Sequence, residues 1–296
     1  MSDETVMFYF WHHGARLGEP HFRVNIAELR TPQFEQLAAR ADVLFEELVM
    51  ERERDADEFE ELMNRSFKGE RIKNDALPIY YDEEKQEYLS RVFQGKKYVV
   101  ERTFAPQRDL LAMQNADRIT YLRLIAGPID DALRARETVL RIDARVQAER
   151  EERVARQIGA VPGRVLVLFG GGHRELAGIV GKKRPIEVYA PFEGTAETYE
   201  TLLRRKLREG VFDADLCLRS AVELIVDGAA GLDGLKRKQV AHAYAGALES
   251  AQLRDFLEYA NRVAAMGLSA RDIVSSYIKS RNVPLAKDVR EMLTSQ

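Results

Sequence analysis

The sequence predicts an α/β fold: a mostly parallel sheet with flanking helices, a long charged helix before the fourth strand, and a helical C-terminal extension. Three observations carry that expectation. Short apolar, β-branched or aromatic runs alternate with segments of helical spacing over residues 6–189. One helical segment, residues 129–158, is long and dense in Arg and Glu. Beyond residue 194 there is helical periodicity and no strand signal. Strands separated by helices imply right-handed crossovers and hence parallel neighbours.

The elements follow in order. Val6–Trp11 (VMFYFW) is a buried strand that ends at His12-His13-Gly14. Thr31-Pro32 opens a helix within 28–40, with Phe34, Leu37 and Ala38 on one face. Val43–Val49 (VLFEELV) is a second strand, with Glu46 and Glu47 near its end. The charge run 51–61 reads as a solvated helix, and Lys97–Phe104 as a third strand carrying Glu101 and Arg102. Residues 107–126 are helical up to Gly127-Pro128, which interrupts the chain direction. The long helix 129–158 has Leu133, Leu140, Val146, Val154 and Ile158 as parts of an apolar stripe. Pro162-Gly163 ends it, and Arg164–Phe169 (RVLVLF) is the clearest strand of the chain. Gly170-Gly171-Gly172-His173 follows, and then a fifth strand, Ile186–Tyr189. Helices are expected over 195–209, 213–228, 234–247, 249–266, 270–281 and 285–293. Ser269 with Asp272 forms a capping box, and Pro284 opens the last helix. Two regions result: a sheet domain over 1–194 and an all-helical extension over 195–296.

Composition narrows the function. The chain has 296 residues, 45% hydrophobic and 31% charged, enough for a substantial core. A formal net charge of −3, without a basic block, gives no field that would draw nucleic acid or anionic lipid. The single cysteine, Cys217, rules out an internal disulfide framework and fits a reducing compartment. The acidic start lacks the basic region and cleavage site of a secretory signal, and no apolar run reaches the ~20 residues of a membrane span. A cytoplasmic protein is expected, with a small-molecule or peptide substrate, no nucleic acid and no membrane. A homo-oligomer, or docking of a partner through the helical tail, is compatible with this.

In an open parallel sheet, ligands bind where the strands end at their carboxyl edge. Three polar clusters fall there: His12-His13 after the first strand, Glu46-Glu47 at the end of the second, and Gly170–His173 after the fourth. The triple glycine lets the backbone turn close to a ligand and offers N–H groups to an anion or oxyanion. His173 is then a base, an acid or a metal ligand. Glu47 orients that imidazole, shares a metal, or acts as base itself. Adjacent His12 and His13 point to opposite faces, so at most one of them aims at the site and the other is structural. Arg102 either binds an anionic group or pairs with Glu101 or Glu47. His21, His242 and Cys217 belong to no pattern and are read as structural.

Familiar motifs are absent. A dinucleotide fingerprint would need glycine where Glu175 stands, and there is no Walker loop, His-Glu-x-x-His or Gly-x-Ser-x-Gly.

The stretch Arg150–Val180 (REERVARQIGAVPGRVLVLFGGGHRELAGIV) resembles the signature region of the TraB/PrgY pheromone-shutdown proteins. Their relatives are the TIKI metalloproteases, the erythromycin esterases and the haem-binding ChaN lipoproteins. In that superfamily an Arg-rich helix leads into a buried strand, then Gly-x-x-His, then a short apolar helix. Gly170–His173 matches the motif, Arg150 or Arg153 stands where the helix arginine is expected, and the acidic residue of the second strand falls on Glu47. The first strand departs from the pattern: its Gly-x-x-His would need glycine where Phe10 or Tyr9 stands. His12, followed by Gly14 after one residue, is the preferred counterpart.

The resemblance implies a hydrolase-like site with three branches. One is metal-dependent peptide cleavage, with His173 and His12 as ligands of a divalent transition metal. The second is metal-free water activation by His and Glu. The third is ligand binding without turnover. The expected function is hydrolysis of an ester, amide or peptide bond by His173, Glu47 and His12 or His13. The alternative is a non-catalytic module that binds haem, a peptide or a small molecule, or an assembly protein of the same fold.

Overall fold

The computed structural model describes residues 4–11, 26, 29–48, 50–79, 81–104, 120, 123–190, 198–229 and 234–294. His12, His13, Gly14, His21 and most of the helix expected over 107–126 lie outside them; residues 123–126 are helical. The described residues fall into two compact units. One takes in those of 4–104 and 148–190, the other those of 120–147 and 198–294.

The first unit is built on five parallel strands: β1 (Val6–Trp11), β2 (Val43–Glu46), β3 (Lys97–Val100), β4 (Val165–Gly170) and β5 (Ile186–Tyr189). Their order is β3-β2-β4-β1-β5. The central strands β1 and β4 are buried along their whole length, which is why both read as unbroken apolar runs. β2 is shorter than its apolar pattern suggested, ending at Glu46 rather than Val49. β3 likewise stops at Val100, although Phe104 still bridges Met50.

Strand alternation sorts the side chains into two cores. Met7, Tyr9, Trp11, Leu44, Tyr98, Leu166 and Leu168 face α1 (Pro32–Arg40), α2 (Glu53–Phe67) and α3 (Glu83–Val92). Val6, Phe8, Phe10, Val43, Phe45, Val165, Val167 and Phe169 pack with Val154 and Ile158 of α4 (Ile129–Ala160) and with α5 (Glu175–Gly181). Local chemistry fixes these helices. Thr31 caps α1, its hydroxyl accepting from the Phe34 N–H at 3.1 Å, with Pro32 in the first turn. Asp82 caps α3 through the Lys85 N–H at 2.8 Å. Gly163, at φ +82°, turns the chain from α4 into β4.

The described residues of the second unit include residues 129–147 of α4 and the helices α6 (Tyr199–Arg208), α7 (Ala214–Ala229), α8 (Gly234–Ala247), α9 (Ser250–Ala264), α10 (Ala270–Arg281) and α11 (Lys287–Thr294). Its apolar core centres on Ala221, Ile225, Tyr244, Phe256, Val274 and Ile278. The Ser269–Asp272 capping box opens α10, whereas α11 starts three residues after Pro284. Arg136 is almost wholly enclosed here, donating to Ser220 Oγ at 3.1 Å and to Glu200 at 3.0 Å. Val146, expected in the apolar stripe of the long helix, is 40% exposed. Among the described residues no helix is long and apolar enough to cross a membrane.

Candidate functional site

Topology marks one place on the carboxyl edge. β2 connects onward to β3, toward one edge of the sheet, whereas β4 connects onward to β5, toward the other. Neighbouring strands whose connections diverge in this way leave a crevice between their ends. Glu47 follows β2 there, and Gly170–His173 follows β4.

The register brings them together. Glu46 pairs with Leu168, and the Glu47 N–H donates to the Leu168 carbonyl at 3.0 Å. Val43 and Phe45 face α4, so two residues further on Glu47 faces it as well. Its carboxylate accepts the Gly170 N–H at Oε2 (2.6 Å) and an Arg150 N–H at Oε1 (2.9 Å). Beyond β4, residues Gly171–His173 form a single 3₁₀ turn that carries the imidazole back over the strand ends. His173 Nε2 lies 3.2 Å from Glu47 Oε1, and Nδ1 lies 3.0 Å from Glu151 Oε1. Arg150 also makes a two-pronged contact with Glu101, at 2.7 and 2.5 Å. The Phe169 ring meets the His173 ring edge-on at 5.7 Å and lies 5.8 Å from the Arg150 guanidinium.

Two cations and three carboxylates thus share one buried cluster. Burial is the largest influence on His173 and pulls its pKa down. The negative charge of Glu47 and the hydrogen bonds to Glu151 and Glu47 outweigh both burial and the repulsion of Arg150, and lift it to about 9. The imidazole is therefore a cation at neutral pH, with both ring N–H groups donating. Burial likewise opposes the charge on Arg150, but Glu47 and Glu101 raise its pKa above the ordinary arginine value.

No family model, no curated protein and no solved structure matches this chain.

His173 and Glu47 are in contact, as the sequence reading required of a working pair. His12 and His13 lie outside the described residues. Among Gly170, Gly171 and Gly172, the Gly170 N–H is already engaged by Glu47, and none of the three has a left-handed backbone. The triple glycine therefore holds the acid in place as well as shaping the turn. Arg102 pairs with neither Glu101 nor Glu47. It points to α2, meeting Asp57 at 2.5 Å and Glu60 at 3.0 Å. His242, in the helical unit, donates its Nδ1–H to the Glu223 carboxylate at 3.1 Å and stacks on Tyr199. The Cys217 thiol is enclosed, and burial pushes its pKa up to about 11.

Among the described residues, the donors around His173 do not suit a divalent metal. Both ring nitrogens of His173 face carboxylates, and the Arg150 guanidinium stands 3.4 Å from Nε2, where a cation would have to approach. Among the described residues, no three His, Cys, Asp or Glu side chains group as metal ligands.

Glu151 and the pairing of Glu101 with Arg150 escaped the sequence reading. A signal existed. Arg150 and Glu151 precede Val154 by four and three residues, and Ile158 by eight and seven, so they share the stripe that faces the sheet. A charged residue on that stripe is a candidate for a buried partner rather than a solvated one.

Proposed function

We propose that the sheet unit hydrolyses an ester, amide or peptide bond by acid–base chemistry between His173 and Glu47. One observation supports this above others: the continuous path from Glu151 Oε1 through both ring nitrogens to Glu47 Oε1, placed in the crevice between β2 and β4. A carboxylate on Nδ1 fixes the ring and leaves Nε2 to work. In the proposed reaction, water beside Glu47 Oε1 gives a proton to that carboxylate as it attacks the acyl carbon. The imidazolium of His173 donates its Nε2 proton to the leaving oxygen or nitrogen. The proton on Glu47 then crosses to Nε2, so the pair is restored and the net change is one water consumed. Arg150, next to Nε2, supplies positive charge against the developing oxyanion. Of the branches implied by the TraB/TIKI-like resemblance, this chemistry suits the metal-free, esterase-like one.

The test is hydrolysis of a panel of chromogenic esters by the whole chain, with His173→Gln and Glu47→Gln variants checked for folding by circular dichroism. Loss of about 10²–10⁴-fold in turnover in each variant is expected. Unchanged turnover in both would refute the assignment. A second reading, ligand binding without turnover, is favoured by the way each charge in the cluster faces an opposite one. It takes precedence if the unaltered protein binds haem, a peptide or a small molecule but turns over none of the panel.

A further inference from the structure

Glu46 and Glu47 are consecutive, yet they serve opposite faces of the sheet. Glu47 reaches the candidate site; Glu46, 0% exposed, enters the core beneath α2 and α3. There its carboxylate accepts the Tyr81 hydroxyl at 2.7 Å and the Tyr98 hydroxyl at 2.8 Å, and pairs with the Lys85 ammonium. That ammonium also sits 4.5 Å from the centre of the Trp11 ring and 4.8 Å from that of Tyr81. Burial and the Glu46 charge raise both phenol pKa values well above the ordinary tyrosine range, so both remain donors.

The carboxylate therefore ties the last residue of β2 to the strand β3 and the start of α3, and the Lys85 ammonium it holds reaches Trp11 at the end of β1. Stability alone is a poor account of this. A buried ion pair is commonly no better than apolar side chains of the same volume, and two phenols are added to it. Position explains more. Glu46 is the last strand residue of β2, and strand ends are where local opening begins. The next side chain is Glu47, which must hold the Gly170 N–H and the His173 ring at once.

We infer that Glu46, with Tyr81, Tyr98 and Lys85, is the positioning element of the site, clamping the end of β2 so that the Glu47 carboxylate stays aimed at Gly170 and His173. The inference builds on the assignment of the site to Glu47 and His173. Its test reads geometry first and activity second.

The Gly170 amide reports on the Glu47 carboxylate directly, since it donates to Oε2. Amide exchange at Gly170 is measured by NMR on the whole chain labelled with ¹⁵N-glycine. The variants are Tyr98→Phe and the double Tyr81→Phe/Tyr98→Phe. Tyr88→Phe is the control: it removes a buried hydroxyl from the same core, one that donates to the Leu29 carbonyl at 2.8 Å. Exchange at Gly170 is expected to speed up about tenfold in the double variant and to keep its original rate in Tyr88→Phe. On a substrate, kcat falls while KM holds. Unchanged Gly170 exchange in both clamp variants overturns the inference, as does an equal acceleration in Tyr88→Phe. Tyr98→Phe alone decides the matter should the double variant not fold. Faster Gly170 exchange in a protein that hydrolyses nothing would keep the clamp and remove the hydrolase.

Discussion

Raising the pH should remove the contribution of His173 to the stability of the sheet unit, and the size of the loss follows from its surroundings. The ring is 8% exposed and lies between Glu47 and Glu151. Its pKa stands at about 9 in the fold against an ordinary 6.5. Below the lower value, folded and unfolded chains both hold the proton, and the stabilisation is complete. Between the two values only the folded chain holds it, so stability falls by about 1.4 kcal/mol per pH unit. Above the upper value the contribution is gone. The total is about 3 kcal/mol, a large part of what holds an ordinary domain folded. Urea unfolding followed through Trp11, the chain's one tryptophan and part of β1, reads this unit directly. The difference in unfolding free energy between the unaltered protein and His173→Gln is measured at about pH 6, 8 and 10. It should shrink by about 3 kcal/mol over that range. A difference that stays constant, or widens with pH, would show that the imidazole is not held as a cation.

Further outcomes follow from the same contacts. Arg150→Met leaves Glu101, 0% exposed, without its charged partner, and should cost about 3–5 kcal/mol in chemical denaturation. Arg102→Ala removes partly exposed pairs with Asp57 and Glu60 and should cost about 1 kcal/mol or less in the same assay. Gly163→Ala places a side chain at φ +82°, with its Cβ 3.1 Å from Asp42 Oδ2. A loss of about 1–2 kcal/mol is expected from thermal unfolding, and an unchanged melting point would contradict the strain. Thr31→Ala removes the acceptor that caps α1 and should cost about 1 kcal/mol, read the same way.

The sheet was legible because β1 and β4 are central. A strand covered on both faces has no polar positions to blur it, and VMFYFW and VLVLF stand out from their surroundings. The six helices after residue 198 were legible for a complementary reason. Breaks such as the Ser269–Asp272 capping box separate them, and α9 and α10 each keep one apolar face, Leu253, Phe256, Leu257 and Ala260 in the first and Ile273, Val274, Tyr277 and Ile278 in the second. What misled was the end of β2. An apolar run of the pattern VLFEELV gives no sign of where ladder hydrogen bonds stop, since pairing depends on how far β3 and β4 extend beside it. α3 was overlooked because EEKQEYLSRV is mostly polar. Its few buried contacts include Lys85 and Gln86, residues that a hydrophobicity pattern scores as solvent-facing.

The same property hid half of the site. Sequence patterns assume that charge means water, and the assumption fails where charges of opposite sign meet behind a strand edge. Glu47 and His173 could be found because each interrupts an apolar or glycine-rich context at the end of a strand. Arg150, which only the family resemblance singled out beside Arg153, and Glu151 sit in a helix so dense in Arg and Glu that its apolar pattern marks neither. Their phase relative to Val154 and Ile158 separates them from their neighbours, because the side of the helix that buries those two residues against the sheet also carries the guanidinium and the carboxylate to the imidazole. Periodicity that is tracked for every residue type, and not for apolar ones alone, would have placed both residues beside the strand ends before any coordinates were known.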